Sequence, residues 1–131
     1  MSSEDNRISH ILLVDDESSV LFALKLVLQA MGFKVTDFSL PLEAIAYLAE
    51  GGECDMCICD LRMPKMNGLQ VLTEMKSLRR ELIFVLMSAH AQRDEAAQAK
   101  DLGAAGFLSK PFTPDQLKDL VAEISGQKEQ A

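Results

Sequence analysis

Four short stretches of the chain are almost uninterruptedly apolar: His10–Val14, Met56–Cys59, Leu82–Met87 and Gly106–Leu108. Such runs predict strands buried on both faces, as in a parallel sheet covered by helices above and below. A fifth run, Phe33–Phe38, mixes in Lys34, Thr36 and Asp37, and that pattern predicts an edge strand. Between the runs, apolar residues recur at helical spacing. Val20, Leu24, Val27, Leu28 and Met31 mark a first helix, with Gly32 as its stop. Leu42, Ile45 and Leu48 mark a second, ending near Gly51-Gly52, and Leu69, Leu72, Met75 and Leu78 a third. An alanine-rich fourth runs from about Arg93 to Leu102 and stops at Gly103. The fifth begins at Thr113-Pro114-Asp115-Gln116, which combines a hydroxyl cap, a first-turn proline and a capping-box glutamine. Leu117, Leu120, Val121 and Ile124 form its inner stripe.

Strand and helix alternate strictly, five of each, which predicts a doubly wound parallel α/β sheet with right-handed crossovers. At 131 residues the chain is one domain, expected over residues 9–126 with flexible tails at 1–8 and 127–131. A net charge of −7 disfavours nucleic acid and anionic membrane as partners. No apolar run approaches the roughly 20 residues that cross a bilayer, and the polar, acidic start is not a secretory signal, so a cytoplasmic protein is expected. Cys54, Cys57 and Cys59 are odd in number, and no second pair or histidine cluster completes a tetrahedral metal site; they read as small buried apolar residues.

In open α/β sheets ligands bind beyond the carboxyl ends of the strands. Those ends carry Asp15-Asp16 with Glu17, then Asp60, Ser88 and Ser109-Lys110. Singly these are ordinary. Asp15-Asp16 can cap a helix, Ser88 is a strand-end hydroxyl, and Lys110 is a surface lysine. Brought to one cleft, three carboxylates repel, at about 4 kcal/mol for like charges 4 Å apart at an effective dielectric near 20. A hard divalent cation such as Mg²⁺ relieves that repulsion. Lys110 adds a compact positive charge, and Ser88 a hydroxyl donor. An ionised aspartate is also a nucleophile toward phosphorus. The set therefore predicts phosphoryl chemistry centred on Asp60.

Four segments match a known pattern in order and spacing: Leu12-Leu-Val-Asp-Asp-Glu17, Asp60-Leu-Arg-Met-Pro-Lys-Met-Asn-Gly68, Ser88-Ala89 and Gly103-Ala-Ala-Gly-Phe-Leu-Ser-Lys-Pro-Phe112. Over residues 9–126 the chain resembles the receiver domain of two-component response regulators, including single-domain members like the chemotaxis regulator. The resemblance implies a flavodoxin-like strand order 2-1-3-4-5. It implies that Asp60 accepts a phosphoryl group from a histidine kinase or phosphotransfer protein. It also implies that Asp16 and Asp60 hold Mg²⁺ directly, Asp15 through water, and Arg62 through its backbone carbonyl. Lys110 then contacts the phosphoryl group, Ser88 turns toward it, and Phe107 moves inward behind Ser88. The Lys110–Pro111 peptide is expected to be cis. The output face would comprise the fourth helix, fifth strand and fifth helix, presented to an effector protein or to an effector domain missing from this chain. The protein would be no enzyme beyond its own phosphorylation and dephosphorylation, and a monomer or weak dimer. Phe107 stands where many members carry tyrosine, and Gly103-Ala-Ala-Gly lacks the acidic residue of one subfamily's dimer face. Arg62 and His90 occupy positions thought to tune dephosphorylation, although His90 reads more readily as an idle surface histidine. Two other readings stand beside this one: a constitutive interaction module, and a phosphatase or flavin protein. The complete acid set opposes the first. Asp15-Asp16-Glu17 supplies neither an Asp-x-Asp nor a phosphate-binding loop for the second.

Overall fold

The structure, a computed structural model, describes residues 8–89 and 93–130, with the backbone alone for 126–130. Five strands, β1 His10–Val14, β2 Lys34–Phe38, β3 Met56–Asp60, β4 Ile83–Ser88 and β5 Gly106–Ser109, form one parallel sheet in the order β2-β1-β3-β4-β5. Five helices follow them: α1 Ser18–Ala30, α2 Pro41–Ala49, α3 Gly68–Leu78, α4 Arg93–Asp101 and α5 Pro114–Gln130. The alternation, the order and the edge position of β2 are as the sequence predicts.

The three central strands are buried on both faces because each alternates between two cores. Leu12, Val14, Cys57, Cys59, Phe84 and Leu86 face one core, closed by α2, α3 and Ala99 of α4. Ile11, Leu13, Met56, Ile58, Val85 and Met87 face the other, closed by Leu21, Leu24 and Leu28 of α1 and by Leu117, Val121 and Ile124 of α5. All three cysteines lie in the first core. Burial pushes the Cys54 thiol up to about 11 and those of Cys57 and Cys59 well above the ordinary range, so they pack as neutral groups. One expectation needs correcting. The apolar run at Gly106–Leu108 reads as a strand buried on both faces, but Gly106 and Phe107 are only half-buried on β5, which lies at the edge where the implied order puts it. Three apolar residues are too few to separate an edge strand from a central one.

Two helix starts are fixed by reciprocal capping. Asn67 Oδ1 accepts from the Gln70 amide while Gln70 Oε1 accepts from the Asn67 amide, both at 2.9 Å. Thr113 and Gln116 repeat the device at α5, at 2.8 and 3.1 Å. In α1 the cap is Glu17, which makes no side-chain bond to the helix. Asp15 therefore does not cap α1; its Oδ1 accepts the Glu17 amide at 2.9 Å, one residue before the helix. Asn67→Ala should cost about 1 kcal/mol, read as a lower urea midpoint with unchanged slope, because only the cap and its box partner are lost.

Candidate functional site

Parallel strands end together, and here that geometry gathers the polar residues. Val14, Cys59 and Leu86 are aligned across β1, β3 and β4, so Asp15 and Asp60 emerge beside one another, with Ser88 one residue further along β4. The backbone locks the loops that follow. The Leu61 amide donates to the Met87 carbonyl at 2.8 Å, the Lys110 amide to the Ser88 carbonyl at 2.9 Å, and the Asp15 amide to the Phe38 carbonyl at 3.2 Å. The Lys110–Pro111 peptide is cis.

Asp15, Asp60 and Ser88 are buried, at 0, 5 and 1% exposure, although all three are polar. Lys110 compensates part of that charge. Its Nζ lies 3.0 Å from Asp15 Oδ2, 3.2 Å from Asp60 Oδ1 and 3.5 Å from Glu17 Oε1. Burial holds the Asp15 carboxyl above its usual range, even though the Glu17 amide and Lys110 pull it down. Burial, then the charge of Asp15, raises Asp60, again opposed by Lys110. Burial alone would lower the Lys110 ammonium; the bond to Asp15 and the charges of Asp15 and Asp60 outweigh it and raise it. One cation thus stands against two buried carboxylates.

Asp15, Asp16 and Asp60 each offer a carboxylate oxygen, all within 4.8 Å of one another, and this is the one such metal-competent cluster among the described residues. Oxygens in one Mg²⁺ shell lie at most about 4.2 Å apart, given bonds near 2.1 Å. A cluster held within 4.8 Å is of that size, which suits it to a hard divalent cation. Beside it Glu17, Asp60, Arg62, Ser88, Ala89 and Lys110 line a cleft of about 170 Å³. A larger hollow, about 490 Å³, lies at the opposite end of the strands. Its walls bond to themselves: Arg79 donates to the Gly52 and Leu48 carbonyls, and Asp55 accepts from the Ser9 and His10 amides. The smaller cleft is the one with reactive groups.

Asp15, Asp16, Glu17, Asp60, Arg62, Ser88 and Lys110 come together at this cleft or its rim, whereas Ser109 lines a separate hollow with Pro111 and Gln116, and Phe107 does not line the cleft. That ring sits on β5, half-buried against the first core, and lines a groove with Ala96, Ala99 and Lys100 of α4. His90 lies outside the described residues. The sequence reading missed two contacts, Glu17 to Lys110 and Arg62 to Glu95 of α4, where one guanidinium nitrogen reaches both carboxylate oxygens at 2.7 and 2.8 Å. Neither has a local signal, since the partners are 93 and 33 residues apart.

The doubly wound parallel sheet is flavodoxin-like, and its carboxyl end gathers an acid triad, a bridging lysine and a buried serine. The chain belongs to the response regulator receiver domain family of two-component systems, whose model matches residues 11–122. It is 38% identical over 117 residues to the alginate biosynthesis transcriptional regulatory protein AlgB of Pseudomonas putida, covering 89% of this chain and 26% of that protein. It is 32% identical over 109 residues to the response regulator SaeR of Staphylococcus aureus, covering 83% and 47%. The chain thus spans between a quarter and a half of these curated relatives. Among solved structures, a receiver domain from Clostridium thermocellum superposes with a TM-score of 0.85 at 29% identity, covering 94% of this chain and 98% of that one. The chemotaxis protein CheY4 of Vibrio cholerae gives 0.83 at 26%, covering 89% and 98%. Among the described residues no helix is long and apolar enough to cross a membrane.

Proposed function

We propose that Asp60 is the phosphoacceptor of a cytoplasmic two-component phosphorelay and that its phosphorylation switches the face formed by α4, β5 and α5. The observation that carries this is the ammonium of Lys110 set 3.0 Å from Asp15 and 3.2 Å from Asp60, next to buried Ser88. A carboxylate oxygen of Asp60 bonds to phosphorus as the bond from phosphorus to the donor's imidazole nitrogen breaks, the electron pair leaving with the imidazole. Lys110 neutralises the arriving oxygens, and the Ser88 hydroxyl turns to donate to one of them. Asp15, Asp16, Asp60 and the Arg62 carbonyl would hold Mg²⁺, which would supply neutralising charge for the transferring group. Phe107 moves into the space behind Ser88. The phosphoryl group favours the switched state only through contacts that differ between the two states. Beyond its own phosphorylation and dephosphorylation the domain is no enzyme. The kinase or phosphotransfer protein and the effector, a separate partner or a further domain, are its expected associates.

Incubation with Mg²⁺ and radiolabelled acetyl phosphate should label the protein on a hydroxylamine-sensitive acyl bond. Asp60→Asn should remove essentially all of that label. Unlabelled wild type, or equal label on Asp60→Asn, sinks the reading.

A further inference from the structure

Arg62 has two neighbours of opposite character. Arg62 lines the cleft with Asp60, Ser88 and Lys110, and its guanidinium is held by Glu95, in the first turn of α4. Glu95 is well placed without Arg62, since a carboxylate in the first turn also meets the positive end of the helix dipole. Arg62 is half-exposed, at 53%, so moving its long side chain costs little packing. Helix α4 is weakly anchored, because Ala99 is its one buried residue. The ion pair at its first turn therefore adds a polar tie to the loop after β3.

We infer that Glu95 is a positioning residue that parks Arg62 at the cleft rim, and that a phosphoryl group on Asp60 takes Arg62 from it, releasing the first turn of α4 from the phosphoacceptor loop. The inference rests on the reading of Asp60 given above. A phosphoryl group presents up to two charges and three acceptor oxygens to a forked guanidinium, against one charge and two oxygens on Glu95. The exchange is thus favourable in charge and in geometry. It also links the chemistry to α4 by a route separate from Ser88 and Phe107.

The test is a double-mutant cycle over wild type, Glu95→Gln, Arg62→Gln and the pair. The probe is trifluoroberyllate, a phosphoryl mimic, with Mg²⁺, its affinity read by fluorine NMR and α4 protection by amide hydrogen exchange. Glu95→Gln should bind the anion about threefold tighter, the factor that one exposed ion pair supports. Its α4 amides should exchange faster before any anion is added. Both effects should vanish when Arg62 is already Gln. A purely structural role moves stability but leaves the cycle flat, and a flat cycle on protein that binds the anion overturns the inference alone. Wild type that binds no anion overturns the phosphoacceptor reading and this inference with it.

Discussion

Lys110→Met should destabilise the fold by about 3 kcal/mol in metal-free buffer at neutral pH, read from urea unfolding. The variant keeps the length of the lysine stem and removes its charge. That leaves Asp15 and Asp60, both buried, facing each other with no bridging ammonium. Breaking a buried pair by deleting one partner strands the other charge at about 3–5 kcal/mol, and the lower end applies because the cleft mouth opens to water. The pH dependence has a definite sign. Both carboxyls already titrate above their unfolded range, and losing Lys110 raises them further. The penalty is therefore fully present above the raised values and fades as pH falls through them, where the folded state takes up protons more readily than the unfolded one. The gap between wild type and variant should be widest at neutral pH and shrink in mild acid. Adding Asp60→Asn should recover much of the loss, since it leaves Asp15 as the one buried carboxylate. Through the proposed metal site, the variant should also gain more stability from Mg²⁺ than wild type does. A Lys110→Met protein as stable as wild type at pH 7, or one that loses further stability on acidification, contradicts this charge balance.

The same site shows how far a sequence can be read. The runs at His10–Val14 and Met56–Cys59 were legible as central strands because every residue of β1 beyond His10 and all of β3 are buried. Once alternation implied a parallel sheet, the position of Asp15, Asp60, Ser88 and Lys110 at strand ends followed. The strand order did not come from periodicity; family resemblance supplied it. Without that order the run at β5 looked like the others, and its edge character stayed hidden. What lay beyond pattern altogether was the partnering of long side chains. Glu17 and Arg62 are exposed, flexible residues, and nothing in their local sequence says that one leans on Lys110 and the other on α4. The same holds for Gly68, at the end of the loop that follows β3. As part of Asn67-Gly68 it belongs to a recognisable motif, but its reason for being glycine is tertiary.

Gly68→Ala should lower stability by about 2 kcal/mol and slow labelling of Asp60 by at least roughly tenfold. Gly68 opens α3, and its amide donates to the Leu61 carbonyl at 2.8 Å, which presses the helix start against the loop leaving β3. A methyl group there would collide with the Leu86 side chain, and would lie 2.7 Å from the Asp60 carbonyl oxygen and 3.0 Å from the Leu61 Cα. The constraint is space, not backbone angle, since Gly68 is not among the glycines of positive φ. Leucine can change rotamer, but the other two neighbours are backbone. Helix start and strand end must therefore move apart, at the 1–3 kcal/mol typical of overpacking. The gain in helix propensity from alanine, up to about 1 kcal/mol and smaller at a helix terminus, offsets only part of this. The displaced segment includes the peptide of Asp60, whose carboxylate must stay aligned with Lys110, and misplacement by about 1 Å can cost 10²-fold in rate. Asn67→Ala, one residue away, provides the control: it loses the cap of the same helix, at about 1 kcal/mol, without crowding Asp60. If Gly68→Ala labels slowly while Asn67→Ala, destabilised in the same helix start, labels at the wild-type rate, close packing behind Asp60 is the cause. Equal labelling by both would reduce Gly68 to an ordinary helix-start residue.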